Sequence, residues 1–316
     1  MESVPLQDLA FLIKRALVIA NPAARRGRAL AVVAQRELTR AGVVCDVVLT
    51  EQPGHGADVA IARHQDYDAV FALGGDGTVM EVAGALAGSG RPVGVLAGGT
   101  GNLVARALGI PLRIRRAIPA LLDGEEIVID LGRLDSGRHF AIAAGVGIDA
   151  EMLRGTPPWL KRRLGVLAYT IMGTWAALRS VLFRRFFHVR LTVDGRVFER
   201  RAAAAMIANF GAVLGNRITL GPEIVIDDGL LDGCIFAPRT LRDAIRIAWR
   251  MLRKDFATDP CMVYCRGTTI RLETDPPLQV QADGELLGTT PVIALVEPLA
   301  ARLLVPRDRR RTILPS

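Results

Sequence analysis

The sequence predicts an α/β fold with an N-terminal parallel-sheet domain and a mostly antiparallel, β-rich C-terminal domain. Short apolar runs alternate with helical periodicity in the first third, which is typical of a parallel sheet with crossover helices. Longer strand patterns with turn signals follow residue 130. Since half of the 316 residues are apolar, the chain can bury two cores, and we expect domains at 14–130 and 131–296. Residues 297–308 are a candidate for returning to the first domain.

The first domain is predicted as alternating strands and helices. Its strands are short apolar runs, and its helical segments place apolar residues three and four positions apart. Right-handed crossovers then bring the carboxyl ends of all four strands to one edge of the sheet. The predicted strands are Ala16–Ala20, Val43–Leu49, Ala69–Leu73 and Val93–Ala97, and the predicted helices are Arg28–Ala41, Ala57–His64, Thr78–Ala87 and Leu103–Leu108.

The second domain is predicted from a hairpin, further strands and one helix. Asp194-Gly195 between two strand-like runs is typical of a type I′ turn. A helix with a basic face is predicted at Leu241–Arg253. Because no Gly/Ser linker is present, we expect the two domains to share a cleft. The predicted strands are Val189–Val193, Val197–Arg201, Ala202–Asn209, Gly233–Ala237, Thr268–Glu273, Leu278–Ala282 and Pro291–Val296.

The net charge of +8 comes from clustered arginines and favours an anionic partner. A nucleotide, a nucleic acid and an anionic membrane all fit, and a solvated basic surface explains the charge equally well. Aromatic residues are only 5% and do not alternate with the arginines, which disfavours nucleic acid. The main clusters are Arg25, Arg26 and Arg28; Arg113, Arg115 and Arg116; and Lys161, Arg162 and Arg163.

The four cysteines show no metal-ligand spacing, and the N-terminus lacks the pattern of a secretory signal, so we expect a cytoplasmic protein. The longest uncharged stretches are shorter than the about 20 residues of a spanning helix. One of them, 164–178, has basic flanks. It either packs inside the second domain or touches a membrane surface, which leaves peripheral attachment at the inner membrane face open. A homodimer is equally open.

Each predicted strand of the first domain ends in a segment suited to a ligand. Asn21-Pro22 follows the first strand, Thr50 the second, Gly74 to Thr78 the third and Gly98 to Asn102 the fourth. Phosphate oxygens need closely spaced N–H donors, and glycine lets the backbone approach them. Tight turns alone could explain one such segment. Two at neighbouring strand ends favour a phosphate site.

Asp76 is an acidic residue within a loop suited to anions. Its carboxylate would repel a phosphate unless a divalent cation lay between them, so Asp76 predicts magnesium bound to a nucleotide. Neither glycine turn matches a Walker A loop or a Rossmann fingerprint.

The run Gly74-Gly75-Asp76-Gly77-Thr78-Val79-Met80-Glu81-Val82, followed by Gly98-Gly99-Thr100-Gly101-Asn102, resembles the diacylglycerol kinase catalytic domain family, nearest to its bacterial YegS-like branch. Further motifs occur in the family's order over nearly the whole chain: Asn21-Pro22, Asp130-Leu131-Gly132, Asp227 to Asp232 and Asp283-Gly284-Glu285. The resemblance implies a nucleotide domain like those of NAD kinases and diacylglycerol kinases, followed by a β-sandwich-like domain. It also implies an ATP- and magnesium-dependent lipid kinase.

The resemblance also implies roles for single residues. Glu285 would be the catalytic base that takes the proton from a lipid hydroxyl, with Asp76 as its catalytic partner at the phosphates. Asp228 and the carbonyls of Val225 and Leu230 would hold a structural magnesium, with Asp130 in the same network. The residues lining ATP would be Asn21, Pro22, Ala23, Thr50, Gly74, Gly75, Asp76, Gly77, Thr78, Val79, Met80, Glu81, Thr100 and Asn102.

Leu103 departs from the family pattern, in which an acidic residue often follows the second glycine turn. Its presence removes one candidate carboxylate from the magnesium network and leaves Asp76 and Asp130. Two other functions stay open. An NAD kinase or other small-molecule kinase of the same superfamily is one, because these kinases share Gly-Gly-Asp-Gly; a nucleotide-binding regulator without catalysis is the other, and Leu103 favours it. The residues Ala105 to Pro111 after the second turn favour the lipid kinase. The lipid could be a diacylglycerol, a sphingoid base or a phosphatidyl lipid.

Overall fold

The computed structural model describes residues 13–24, 26–147, 186–213, 218–219, 221 and 224–307. Residues 164–178, whose two interpretations are given above, lie outside this part of the chain. In the part that is described, no helix has both the length and the apolar character to span a membrane.

The N-terminal part is a parallel sheet covered by helices. Its strands pair in the order β2-β1-β3-β4, and all three pairings are parallel. Strands β1, β3 and β4 are almost entirely buried, which explains their continuous apolar sequences. The strands are β1 (Arg15–Ala20), β2 (Val44–Leu49), β3 (Ala69–Gly74) and β4 (Val93–Ala97), and the helices are α1 (Gly27–Arg40), α2 (His55–Arg63), α3 (Asp76–Ala85), α4 (Leu103–Ala107) and α5 (Ile114–Leu122).

The predicted strands and helices of this part are confirmed, with ends that differ by at most two residues. Helix α5 was missed. Pro119 lies inside it and removes one backbone hydrogen bond, so the helical pattern is weak there. The helix forms nevertheless because Ile114, Ala117, Ile118 and Leu121 are buried against the sheet.

The C-terminal part is antiparallel, as expected. The predicted hairpin turn is confirmed: Asp194 and Gly195 both have positive φ, as a type I′ turn requires. The strands are β5 (Glu125–Leu134), β6 (His139–Phe140), β7 (Ala143–Gly147), β8 (Phe187–Val193), β9 (Arg196–Ala202), β10 (Ala204–Ala208), β11 (Ala212–Val213), β12 (Ile218–Thr219), β13 (Leu231–Phe236), β14 (Met262–Gly267), β15 (Thr269–Asp275), β16 (Gln279–Ala282), β17 (Glu285–Thr289) and β18 (Val292–Val305), and the helix is α6 (Leu241–Arg253).

Strand β18 joins the parallel and antiparallel parts into one sheet. It pairs in parallel with β4 at Leu303 and antiparallel with β5 and β15, giving the order β2-β1-β3-β4-β18-β15-β8-β9. The predicted strand stopped at Val296. The structure continues it past Pro298 through a register shift between Glu297 and Ala301, which absorbs the irregular segment as a bulge.

A second sheet packs across the antiparallel part. Its strand order is β14-β13-β10-β7-β16-β17. The space between the two sheets is filled by apolar side chains such as Leu191, Ile207, Ile235 and Ile270, while a separate larger core lies around the parallel strands. Strands β16 and β17 thus carry the Asp283 to Glu285 segment on a rigid layer.

Candidate active site

The two glycine turns lie against each other at the carboxyl ends of β3 and β4. The N–H groups of Gly98 and Gly99 both donate to the carbonyl of Gly74, at 2.8 and 3.1 Å. A Cβ on Gly99 would stand 2.5 Å from the Cα of Gly75, so this backbone approach requires glycine. The structure confirms the expectation that these turns meet at one edge of the sheet.

Asn102 closes the second turn. It adopts a left-handed conformation with φ 49°, and its side chain accepts the N–H of Gly99 and donates to the Gly99 carbonyl, both at 2.9 Å. Helix α4 starts at the next residue. The turn is therefore held in a fixed shape before any ligand binds.

Asp76 connects the two turns. Its Oδ1 accepts the N–H of Val104 at 3.0 Å, so the carboxylate caps the start of α4, where Leu103 occupies the position that is often acidic in the family. Burial raises the pKa of Asp76 despite this hydrogen bond, and the negative charge of Glu285 adds to the effect. Two carboxylates that repel each other next to a glycine turn suit a site for a divalent cation.

The first strand end also joins this site. The amide of Asn21 donates to the hydroxyl of Thr78 at 3.3 Å, and its oxygen accepts the N–H of Ala23 at 2.9 Å. Thr50 lies next to it, with its N–H bonded to the carbonyl of Ala20 at the end of β1. Pro22 and Thr100 occupy the turns themselves.

Three predicted ATP-lining residues point their side chains elsewhere. Val79 and Met80 are buried in the larger hydrophobic core, so only their backbone groups can face a ligand. The carboxylate of Glu81 accepts the N–H of Ala57 at 3.1 Å and stabilises the start of α2.

Glu285 belongs to a motif more than 200 residues after the first glycine turn in the chain, and its side chain lies directly on that turn. Its carboxylate occupies the space that a Cβ on Gly77 would fill. Arg138 donates to Glu285 Oε2 at 2.8 Å and so orients the carboxylate. Both side chains remain about half exposed, at 53% for Arg138 and 47% for Glu285, which leaves room for a substrate.

Asp283 fixes the hairpin that carries Glu285. Its two carboxylate oxygens accept the N–H groups of Ala141, Ile142 and Ala143 at 2.7 to 3.0 Å. Asp283 and Gly284 both have positive φ and form the tight turn between β16 and β17. Burial raises the pKa of Asp283 to about 7. The sequence did not indicate the backbone N–H groups that hold this turn.

The acidic segment 227–232 contacts Asp130. The two carboxylate oxygens of Asp130 accept the N–H groups of Gly229 and Leu299, both at 2.7 Å. Burial raises the pKa of Asp130, and Asp228 and Asp227 act in the same direction. Since both oxygens accept backbone hydrogen bonds, Asp130 stabilises the conformation of this loop.

Asp228 and Asp232 flank Arg266 in the same segment. The guanidinium lies 3.6 Å from Asp228 Oδ2 and 3.1 Å from Asp232 Oδ1. Asp232 Oδ2 is buried and has no hydrogen-bond partner within the described part of the chain. Burial raises the pKa of Asp232 to about 6. This oxygen-rich, electrostatically strained segment suits a hard cation.

No group of three or more His, Cys, Asp or Glu side chains is arranged as a metal site in the described ranges. Magnesium bound to a nucleotide needs only one or two carboxylates, because phosphates and waters supply the other ligands. Asp76 therefore fits such an ion. At Asp228, Oδ1 accepts the N–H of Leu230 at 3.1 Å, and Oδ2 faces the guanidinium of Arg266 at 3.6 Å.

Arginines converge beside the second turn in a way that the sequence did not reveal. A cavity of about 680 Å³ opens there between α1 and α5. The clusters around residues 26 and 113–116, far apart in the chain, thus form one positive surface that suits an anion. Its lining includes Arg26, Gly98, Gly99, Asn102, Arg113, Arg115 and Arg116.

Comparison with known proteins identifies the family. Residues 15–134 match the diacylglycerol kinase catalytic domain, and residues 142–305 match the YegS C-terminal NAD kinase beta sandwich-like domain. The chain belongs to the diacylglycerol kinase family. Both the glycine turns and Glu285 lie within the matched residues, so the resemblance expected from the motifs is confirmed.

Curated members of the diacylglycerol kinase family align along most of the chain. The diacylglycerol kinase of Bacillus subtilis strain 168 is 32% identical over 288 residues, covering 88% of this chain and 92% of that protein. That of Staphylococcus aureus strain MRSA252 is 29% identical, with 88% of each covered. An uncharacterized protein of Synechocystis sp. is 31% identical over 241 residues, and the chain spans only 54% of its length.

Solved structures confirm the predicted fold of this diacylglycerol kinase family member. A candidate diacylglycerol kinase from Bacillus anthracis str. Sterne has a TM-score of 0.75 at 23% identity, covering 94% of this chain and 97% of that one. A diacylglycerol kinase from the same strain has a TM-score of 0.69 at 21% identity, covering 94% and 98%.

Proposed function

We propose that the protein transfers the γ-phosphate of ATP to the hydroxyl of a diacylglycerol-like lipid, with magnesium. The observation that best supports this is the position of the Glu285 carboxylate on Gly77. It combines a base in reach of a substrate hydroxyl with a helix start and glycine turns that can hold phosphates.

The triphosphate would lie on the two glycine turns. The N–H groups of Gly74 to Thr78 and the start of α3 present positive potential toward it, and Asn21, Thr50 and Thr100 line its sides. Arg26 and the arginines of the 113–116 segment add positive charge beside the second turn. Magnesium, when bound near Asp76, would neutralise charge that develops on the phosphates.

Glu285 would act as the general base. As the lipid oxygen forms a bond to the γ-phosphorus and the bond to the β-phosphate oxygen breaks, the carboxylate accepts the hydroxyl proton, and ADP leaves. Arg138 holds Oε2, so Oε1 is the oxygen that would take the proton. The hairpin anchored by Asp283 keeps this carboxylate in place.

A second, structural ion at residues 225–230 is part of the same proposal. Asp228 and the carbonyls of Val225 and Leu230 would hold it, and Asp130 would support the loop through its bonds to Gly229 and Leu299. Asp232 Oδ2, for which the described part of the chain offers no hydrogen-bond partner, supports a positive ligand near this segment.

Replacing Glu285 with glutamine tests the base. The variant keeps the size of the side chain and loses the base, so we expect turnover to fall by about 10²-fold or more with ATP affinity unchanged. Transfer of labelled phosphate to diacylglycerol in detergent micelles measures turnover, and nucleotide titration measures affinity. Glu199→Gln is the matched control, because Glu199 is also an exposed strand glutamate paired with an arginine.

A transfer assay with several phosphate acceptors distinguishes the lipid kinase from the two alternative functions. NAD, fructose 6-phosphate, a sphingoid base, a phosphatidyl lipid and diacylglycerol are offered side by side. Label in NAD alone would refute the lipid kinase in favour of an NAD kinase. ATP binding with no effect of Glu285→Gln on any transfer would instead favour a regulator without catalysis.

A further inference from the structure

Helix α6 presents an exposed apolar stripe that belongs to neither hydrophobic core. Leu241, Ile245 and Trp249 are spaced four residues apart and so follow one line along the helix. They are 38%, 59% and 55% exposed. Large apolar side chains grouped in this way are typical of a surface that meets an apolar partner.

The other face of α6 anchors the helix to the protein. Ala244 and Ile247 are buried, and Met251 packs against the larger core. Thr240 and Asp243 form a capping box at its start, with the Thr240 N–H donating to the Asp243 carboxylate at 2.9 Å. The exposed stripe is therefore held at the surface by a folded helix.

The arginines of α6 divide into two groups. Arg246 and Arg250 form ion pairs with Asp259, at 3.1 and 2.8 Å, and fix the helix to the loop that follows it. Arg242 and Arg253 are exposed, and the guanidinium of Arg253 lies 4.7 Å from the centre of the Trp249 ring. The exposed Arg239 precedes the helix. Cations thus border the apolar stripe.

We propose that α6 is the surface through which the protein docks on a membrane containing anionic lipids. Leu241, Ile245 and Trp249 would enter the boundary between headgroups and acyl chains, and the bordering arginines would contact lipid phosphates. This inference rests on the proposed function, because a kinase whose acceptor lipid resides in a bilayer must reach the membrane surface. A second copy of the chain fits less well, because three side chains supply less than the about 800 Å² per partner of a stable interface.

The position of α6 in the fold connects this surface to the candidate active site. The helix contacts β12, β12 pairs with β11, and β11 contacts α4. Helix α4 starts directly after the second glycine turn. Helix α6 is therefore linked to the second glycine turn through β12, β11 and α4.

Flotation of the full chain with vesicles, without nucleotide, tests the docking surface. Vesicles of phosphatidylcholine alone are compared with vesicles containing about a third phosphatidylglycerol, and we expect binding mainly to the latter. Ile245→Ser with Trp249→Ser should weaken partitioning about tenfold or more, because it removes most of the apolar contact. Arg239→Gln with Arg242→Gln should remove most of the preference for anionic vesicles.

The matched control is Ile61→Ser with Val197→Ser, which replaces apolar side chains that are 61% and 55% exposed on other elements. It should float like the wild type, and circular dichroism should show all variants folded. The proposal is overturned if the wild type does not bind, if the α6 variants float unchanged, or if the control loses as much. It is also overturned if the wild type is a dimer that the Ile245/Trp249 variant converts to a monomer.

The two proposals fail separately. A protein that floats as expected but phosphorylates no lipid refutes the proposed function and leaves the docking surface intact. Transfer in detergent micelles together with unchanged flotation of the α6 variants refutes the docking surface alone.

Discussion

Replacing Gly77 with alanine places a methyl group where the Glu285 carboxylate lies. Gly77 is the second residue of α3 and does not have a positive φ, so alanine suits its backbone. The new Cβ would overlap the carboxylate, which must move by about 1 Å or more to reach ordinary contact. Because Glu285 is 47% exposed, it can rotate toward solvent without disturbing the core.

The expected result is a loss of activity without a loss of stability. A misplacement of about 1 Å can cost on the order of 10²-fold in rate, so the turnover number should fall by about that factor. The free energy of unfolding should stay level or rise by up to about 1 kcal/mol, since alanine favours a helix over glycine. Transfer of labelled phosphate and urea unfolding measure the two quantities.

A control and a double variant separate the causes. Gly288→Ala lies on the same strand as Glu285, and its Cβ would meet nothing within 4 Å, so its activity should stay within about twofold of the wild type. If Gly77→Ala acts through Glu285, combining it with Glu285→Gln should lower activity no further than Glu285→Gln alone. Additive losses would show that the methyl group disturbs the nucleotide instead, and wild-type activity of Gly77→Ala would refute the role of the contact.

Two buried aspartates give further predictions. Burial raises the pKa of Asp283 to about 7, so the folded protein binds a proton that an unfolded aspartate, with a pKa of ~3.9, releases. The free energy of unfolding should therefore fall as pH rises from about 4 to about 7, by up to roughly 4 kcal/mol, and then stay level. Urea unfolding across this range measures the slope, which Asp283→Asn should reduce, leaving the smaller part that comes from the other buried aspartates such as Asp232. Asp130→Asn should lower the free energy of unfolding by about 1–3 kcal/mol at constant pH, because an amide cannot accept both the Gly229 and Leu299 N–H groups.

Opposite results would contradict these two predictions. A free energy of unfolding that rises from pH 4 to pH 7 would mean that the three N–H donors of residues 141–143 outweigh burial at Asp283. An Asp130→Asn variant as stable as the wild type would show that its hydrogen bonds contribute little. Asp123→Asn, at an exposed position after α5, is the control and should change stability by less than about 0.5 kcal/mol.

Local patterns were sufficient to predict much of the fold. Three of the four parallel strands are buried apolar runs, and α6 alternates basic and apolar residues at helical spacing, so these elements were predicted close to their observed bounds. Strands β5, β7, β14 and β17 were not predicted, and two further misses have local causes. Pro119 interrupts the helical pattern of α5, and Glu297 with Pro298 interrupts the strand pattern of β18. In both elements tertiary contacts maintain the structure despite the interruption.

The two glycine turns of the candidate site were predictable, because glycine at fixed spacing after a strand indicates a tight turn. Gly74 to Thr78 and Gly98 to Asn102 follow neighbouring strands, and parallel topology brings such ends together. Glu285 came only through the family resemblance, because nothing near it in the chain indicates a base. Its partner Arg138, the amides that hold Asp283, and the arginine-lined cavity were not predicted.

The sequence by itself determined which strand ends carry glycine turns, because turn residues and strand order can be read from short-range spacing. Only the tertiary structure decided why Gly77 must be glycine and where the Glu285 carboxylate lies. Arg138 and Glu285 are 147 positions apart, and their contact depends on how the second sheet packs against the first. Such packing arises from many weak contacts between distant segments, which no local pattern records.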